Sequence, residues 1–587
     1  MHFLIFWGFV VLLIGTTLLS IHEHIVKFLM GNTYIVFSVI MEIAGLFLIS
    51  GTVIAIFRRY ILKVKRLQSY TEDLLILLFL ILIVSSGFLL EALRLAQNPQ
   101  TWEKWSFVGW YLKELFGPEV SKGAYPYIWW FHAILSLSFL LLIPLTKLAH
   151  TILAPTSIYL QNLTKEDGDK AQMEEEDSVS EGSDKEAQVP QRPFLTLSHL
   201  IFLDACMRCG RCVEVCPSTL AGEDYAPRDF VQGLRAWVWQ SFSPHGDPKL
   251  FMERSPDRIQ RIWNCTTCRA CLEVCPVYGP TFELVMGERA LAIEEGTSVP
   301  DLLNQTLERL YKYENPWMSS KKEKLGWIEE GSSVGFITKS SKPEFCYFVG
   351  CTTSVDPRAR GIAKAFSSIL QSSGLEFGIF GEKEPCCGDM AKRVGELGLF
   401  EEKKMTCSDL FETYGVKNVV TSSPHCYFNF KNDYPQGMFN VFHYTQLLHK
   451  LIKEGNLTIK KRLNFTVTYH DPCYLGRHSR IFDEPREIIK AIPGLKLIEM
   501  THNRENSLCC GGGGGRMWQG NELNGTERMS ERRAKEAKET GADVVLTACP
   551  LCLIMMEDAV KTLGYEKNLK VMDINELLKM AIDEKQG

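Results

Sequence analysis

The sequence has no surplus of charge of either sign: 64 Lys and Arg stand against 69 Asp and Glu, a formal net charge of −5 over 587 residues. No basic run is long enough to grip a phosphate backbone, so nucleic acid is not an expected partner. A Gly-x-Gly-x-x-Gly fingerprint is also missing, which disfavours direct use of a nicotinamide or a Rossmann-bound flavin. The glycine run Gly511–Gly515 lacks the Lys-Ser/Thr ending of a phosphate-binding loop. The first apolar stretch has no basic segment and no small-residue cleavage site, so it reads as a retained span rather than a signal peptide. Between Lys165 and Pro190 aromatic residues are absent, and ten Asp and Glu face three Lys. Such a stretch cannot bury enough apolar surface to fold, and it reads as a flexible, solvated linker.

What is present falls into two halves. A chain of this length exceeds one hydrophobic core, so three or more folded units are expected. Apolar residues concentrate in four stretches near Phe3–Ile21, Tyr34–Phe57, Leu74–Leu95 and Tyr127–Leu148. Each approaches the ~20 residues a helix needs to cross a bilayer, and none shows a polar face. Arg58, Arg59, Lys63, Lys65 and Arg66 between the second and third spans place that loop in the cytoplasm. Four spans then put both termini there, and the aromatic-rich loop from Gln97 to Pro126 faces outward.

The 19 cysteines are grouped after residue 200 in metal-ligand spacings, which suits reduced thiolates better than disulfides. Cys206-x2-Cys209-x2-Cys212-x3-Cys216-Pro217 recurs as Cys265-x2-Cys268-x2-Cys271-x3-Cys275-Pro276. In this pattern three thiolates hold three corners of a [4Fe–4S] cubane and the fourth reaches the other cluster. One cluster is therefore expected on Cys206, Cys209, Cys212 and Cys275. The other is expected on Cys265, Cys268, Cys271 and Cys216. A second repeat runs from about Phe345 to Phe430 and from about Phe465 to Met555. Both copies alternate strands and helices, with Val419–Thr421 and Val544–Thr547 read as strands. Cys346 and Cys407 are read as buried or idle thiols.

The C-terminal copy contains His470-Asp471-Pro472-Cys473, then Cys509-Cys510-Gly511, then Cys549-Pro550-Leu551-Cys552. This pattern resembles the cysteine-rich CCG domains of heterodisulfide reductase and related iron–sulfur oxidoreductases. The resemblance implies that Cys473, Cys509, Cys510, Cys549 and Cys552 hold a reactive, non-cubane [4Fe–4S] cluster. The N-terminal copy has Cys351, Cys386, Cys387 and Cys426, but Ser423 stands where Cys549 stands in the other. It is either a scaffold or a site with a changed ligand set.

Histidines mark the membrane half. His132 and His150, 18 residues apart, would share one face of a continuous fourth helix, about 27 Å apart along it. That spacing resembles the haem-ligand pair of the cytochrome b (gamma) subunit of respiratory nitrate reductase, which implies one or two b-type haems. His2, level with His150, and His24 or His22, level with His132, are the candidate partners. Glu23, Glu42 and Glu91 are candidates for proton or quinone contact.

The expected fold is multidomain. It comprises a transmembrane four-helix cytochrome b-like bundle (1–153), an acidic linker (154–193), an α-helical two-cluster ferredoxin domain (194–300) and a connector (301–342). Two tandem α/β CCG domains follow, a degenerate one (343–455) and a complete one (456–587). The layout resembles membrane-bound heterodisulfide reductase with its cytochrome b and iron–sulfur subunits fused. Three activities are compatible with it. One is reduction of a cytoplasmic disulfide by a quinol or methanophenazine, placed first. Another is transfer from an electron-transfer flavoprotein to menaquinone, and the third is a conduit serving a separate dehydrogenase. In each the chain is multi-pass in the cell membrane, with its iron–sulfur domains in the cytoplasm.

Overall fold

The computed structural model describes residues 1–167, 194–242, 261–296, 299–329, 334–519 and 527–582. Most of the acidic stretch expected as a linker, from residue 168 onward, lies outside the described residues. The chain divides into two compact units, Met1–Ala154 with Met207–Gly210, and Pro155–Cys206 with Arg211–Gly587.

The first unit holds four helices long and apolar enough to cross a membrane. They are α1 (His2–His24), α2 (Asn32–Ile56), α3 (Thr71–Gln97) and α4 (Pro118–Leu142). Their apolar outer faces, including Trp7, Leu75, Trp130 and Leu141, are exposed, as lipid-facing side chains are. Small residues let α1 and α2 approach closely: a Cβ on Gly8 would meet the Ala44 carbonyl oxygen at 2.9 Å. Buried Asp73 gathers two cations of the basic end, pairing with Arg59 and Lys147.

Two details differ from expectation. Residues 118–126, expected in the outer loop, form the first turns of α4, and Pro126 is accommodated inside it. More consequentially, α4 stops at Leu142, and His150 opens a separate helix, α5 (His150–Asp167). Pro144 has no N–H to give the Leu140 carbonyl. The chain instead tightens into i→i+3 turns, Ile143 donating to Leu140 at 3.3 Å and Leu145 to Leu142 at 3.2 Å. His132 and His150 therefore do not share one helix. Residues 154–167, expected at the start of the linker, are helical within α5.

The second unit begins with short helices bearing the paired cysteine motifs and ends in two parallel sheets. The first sheet has β1 (Gly335–Phe336), β2 (Phe345–Phe348), β3 (Phe377–Ile379), β4 (Asn418–Thr421) and β5 (Asn440–His443), in the order β1-β3-β2-β4-β5. The second has β6 (Thr466–Tyr469), β7 (Lys496–Leu497), β8 (Val544–Thr547) and β9 (Lys570–Asp573), in the order β7-β6-β8-β9. Without β1 the two orders are the same, and the registers correspond: Thr421 lies opposite His443, and Thr547 opposite Asp573. In both, the residue ending the last strand caps the following helix, His443 accepting from Thr445 N–H and Asp573 from Asn575 N–H.

One hydrophobic core runs through both copies, joining Tyr347, Phe366 and Tyr444 to Val467, Leu546 and Ile574. Phe366 is fully buried, 4.9 Å from the Tyr347 ring and 5.7 Å from that of Tyr444. Phe366→Ala is expected to cost about 3–5 kcal/mol, the range for emptying an aromatic site in a packed core. Anaerobic denaturant unfolding followed by far-UV circular dichroism measures it, and a loss below ~1 kcal/mol would contradict the packing described.

Candidate iron–sulfur and haem sites

Parallel strands aim their C-terminal ends at one edge, and the cysteines of both CCG copies lie there. β2 runs into Cys351 and β6 into Cys473. β4 is followed by Ser423, which caps helix Pro424–Asn432, and β8 by Cys549, which caps helix Pro550–Thr562. Cys426 and Cys552 thus sit in the first turns of these helices.

The structure brings each set together. In the second copy Cys510 and Cys552 sulfurs are 3.3 Å apart. Contacts continue from Cys552 to Cys549 and from Cys509 to Cys473. In the first copy Cys387 and Cys426 are 3.3 Å apart, and Cys351 touches Cys386. The glycine of each CCG donates its N–H back to the first cysteine, Gly388 to Cys386 Sγ at 3.4 Å and Gly511 to Cys509 Sγ at 3.3 Å. A cavity of about 70 Å³ opens on the first set, lined by Cys351, Cys386, Cys387, Ser423 and His425. Cys346 and Cys407 are buried, and Cys407 donates to the Cys386 carbonyl at 3.5 Å.

The paired motifs share an unusual backbone. Arg208 and Gly210 have φ of 54° and 72°, and their counterparts Thr267 and Arg269 have 52° and 66°. Left-handed residues at matching places curl each loop inward, although three of the four carry side chains. Cys216 lies beside Cys268 and Cys265, and Cys271 beside Cys265, Cys268, Cys212 and Cys216. Burial pushes Cys216 up to about 12. Cys206 ends the helix Leu197–Ala205, Cys212 lies within the helix Arg211–Glu214 and Cys275 follows the helix Ala270–Glu273, while Cys209 lies on the Met207–Gly210 loop of the first unit.

Spacing rules gave no warning of what surrounds the thiols. Arg289 is fully buried and spends its N–H groups on carbonyls from three segments: Ile262 (2.7 Å), Cys265 (2.6 Å), Arg393 (2.9 Å) and Gly514 (3.1 Å). Arg477, 2% exposed, bonds the carbonyls of Cys268 at 2.7 Å and Ser507 at 2.6 Å. Neither has a carboxylate within ion-pair distance among the described residues. The sulfur of Cys265 faces Arg289, and those of Cys268, Cys473 and Cys509 face Arg477, with the Glu273 carboxylate a more distant neighbour. A buried cation needs an anion, and cysteine sets ionised around iron supply it. The residues therefore fit iron–sulfur clusters. The glycine run packs here too: a Cβ on Gly513 or Gly514 would meet the Thr266 or Cys265 carbonyl oxygen at 2.7 Å.

Between the sets stands Tyr474, stacked on His425 at 4.0 Å and His478 at 4.2 Å. Its hydroxyl is 2.9 Å from Thr267 Oγ1. Burial opposes a charge on His425, but the Asp389 carboxylate, 2.9 Å from its Nδ1, outweighs burial and holds the ring above its ordinary value.

In the membrane unit the rings of His2 and His150 lie 6.3 Å apart, edge to face. This closeness makes His2 and His150 the residues that would hold a haem iron, a one-electron carrier when bound. His132 packs on α3, its Nδ1 2.9 Å from Ser86 Oγ. His22 Nδ1 accepts N–H groups from Phe28 and Leu29, a structural role, and His24 is exposed at the end of α1. Glu42 accepts from Val108 and Gly109 N–H, capping the short helix Phe107–Leu112. Glu91 packs on Gly109, and Glu23 is exposed.

Comparison with known proteins agrees with each part. A cysteine-rich domain family matches residues 345–431 and 467–557, a 4Fe–4S dicluster domain residues 202–278, and the nitrate reductase gamma subunit residues 2–164. The EtfAB:quinone oxidoreductase of Syntrophomonas wolfei is 30% identical, over 99% of this chain and 88% of its own. The chain belongs to the heterodisulfide reductase-like family of membrane iron–sulfur oxidoreductases. A probable iron–sulfur-binding oxidoreductase of Bacillus subtilis is also 30% identical, over 99% of this chain and 88% of its own. One component of the dihydromethanophenazine:CoB–CoM heterodisulfide reductase of Methanosarcina barkeri is 33% identical over 66% of this chain and 96% of its own. As a member of this family the chain is a membrane oxidoreductase that uses iron–sulfur clusters and haem.

Arg289→Met is expected to destabilise the second unit by about 3–5 kcal/mol, as loss of a buried charged partner does, and to lower its iron content. Iron analysis and thermal unfolding of the purified variant measure both. Wild-type values in each would remove Arg289 from the role given to it.

Proposed function

We propose that this oxidoreductase carries electrons between a soluble electron-transfer flavoprotein and a quinone in the membrane. The observation that carries this reading is the seclusion of the second cysteine set. Cys473, Cys509, Cys510, Cys549 and Cys552 are 7%, 4%, 4%, 0% and 3% exposed. A disulfide substrate must bring a sulfur atom into contact with its reductant, whereas an electron crosses a few ångströms of protein without contact. The flavoprotein reading therefore moves ahead of the disulfide reductase. The relative named for the flavoprotein and quinone supports it, since that relationship spans membrane and iron–sulfur parts alike.

Iron–sulfur clusters and haem supply one-electron carriers when bound. In this reading Cys206, Cys209, Cys212 and Cys275 hold one cubane, and Cys265, Cys268, Cys271 and Cys216 the other. The five cysteines of the second copy hold a further cluster, and Cys351, Cys386, Cys387 and Cys426 a four-thiolate one. His2 and His150 hold a haem at the end of the membrane unit that carries the basic loop. Arg289 and Arg477 hold positive charge beside the thiolates and so favour acceptance of an electron. The basic loop supports a cytoplasmic side for the iron–sulfur domains.

The test is anaerobic, with the detergent-solubilised chain watched by visible spectroscopy. Reduced electron-transfer flavoprotein is expected to reduce the haem, and menaquinone to reoxidise it. Thiol disulfides are expected to leave it reduced. Reoxidation by a disulfide, with the flavoprotein inert, would restore the reductase reading. His150→Ala is expected to abolish or weaken the haem band, and an unchanged spectrum would remove the His2–His150 assignment.

A further inference from the structure

One buried side chain beside the second cysteine set is not used by anything above. His470 is 1% exposed. Its Nδ1 lies 3.0 Å from Arg533 Nε, and an arginine N–H can only donate. Nδ1 therefore carries a lone pair, and the proton of the neutral ring sits on Nε2. Nε2 is buried with no hydrogen-bond partner among the described residues. Yet a ring nitrogen of His470 and the sulfurs of Cys510 and Cys552 all lie within 4.8 Å of one another. With Nδ1 taken, Nε2 is the nitrogen left to face that pair.

Arg533 has little freedom to release its hold. It is fully buried, and its remaining N–H groups bond Glu536 Oε2 at 2.6 Å, the His502 carbonyl at 2.7 Å and Ser507 Oγ at 3.1 Å. The ring is thus presented with one tautomer, as partners behind metal-site histidines commonly arrange. The chosen tautomer leaves an N–H, not a lone pair, unpartnered on the ring beside the sulfurs. His470 is then unsuited to ligate iron and suited to donate to sulfur.

We propose that His470 donates its Nε2–H to a sulfur of the cluster held by the second CCG copy, that Arg533 positions it for this, and that the contact raises that cluster's reduction potential. The proposal rests on the reading that this set holds a cluster. A reduced cluster carries one more negative charge on iron and sulfur, and a donor aimed at sulfur stabilises that state over the oxidised one. The first copy has no counterpart. Three residues before its lone Cys351 stands Phe348, fully buried, whose ring has no N–H. The two sites already differ by one cysteine, Ser423 against Cys549, and the donor at His470 acts on the second alone, making it a better electron acceptor than it would be without it.

The experiment uses the full-length chain, anaerobically reconstituted in detergent, in redox titrations followed by EPR. Cys510→Ser first identifies the signal belonging to the second set. In His470→Phe, which copies the first site, that signal's midpoint is expected to shift to lower potential with the other clusters unmoved. His470→Gln keeps an N–H donor and is expected to recover most of the shift. Because either variant could fail to fold, pulsed EPR on wild-type protein with isotopically labelled histidine gives an independent readout. A weak nitrogen coupling, as for a hydrogen bond to sulfur, is expected. An unmoved midpoint in His470→Phe at full iron content, or a strong coupling from nitrogen bound to iron, overturns the proposal. If no signal disappears in Cys510→Ser, the second set holds no cluster, and that outcome overturns the underlying reading as well as this one.

Discussion

The second unit is organised around positive charge that has nowhere to go but toward sulfur. Arg289 and Arg477 lie in the interior, bonded by backbone carbonyls and faced by cysteines, with no carboxylate within ion-pair distance among the described residues. A guanidinium sealed in this way is costly without an anion. It becomes favourable only where thiolates ionise around metal. The same arginines tie the paired-cysteine loops to the CCG copies, since the carbonyls they hold belong to residues distant in sequence. Charge balance and tertiary structure are therefore one constraint here, and clusters on these cysteines would satisfy both.

This interdependence explains which parts could be read without coordinates. Cysteine spacings are local, and ligand geometry ties them to short loops, so the paired motifs and both CCG repeats were legible residue by residue. Val419–Thr421 and Val544–Thr547 were recognisable as strands because buried parallel strands are short apolar runs. The arginines were not legible. Arg477 stands in an ordinary polar stretch after Cys473, and nothing in its neighbours says that it points inward. The fourth span failed for another reason. Hydropathy continues through Leu148, but the N–H missing at Pro144 ends the helix, and a count of turns from His132 to His150 assumes a helix that is not there. The proximity of His2 to His150 survives that correction, since it depends on which ends of the bundle meet rather than on helical phase.

The two CCG copies show how a repeat diverges while its scaffold persists. Strand order, register, helix caps and the back-bonded glycine of each CCG are shared. Differences concentrate at the strand ends: Ser423 against Cys549, Phe348 against His470. None of these alters the core, which runs through both copies. Substitution at the rim of a rigid sheet thus changes the chemistry of a site while leaving its position unchanged.

The glycines at 513 and 514 carry a consequence of a different kind. Their backbone touches the carbonyls of Cys265 and Thr266 with no room for a β-carbon. Main chain pressed on main chain has no rotamers to relax, so the gap between the paired-cysteine loop and the second CCG copy is a fixed length. Tunnelling decays exponentially with distance. On the electron route proposed above, a pair of hydrogen atoms in place of methyl groups would act as a spacer gauge between the two halves of the unit, whatever their affinities for charge.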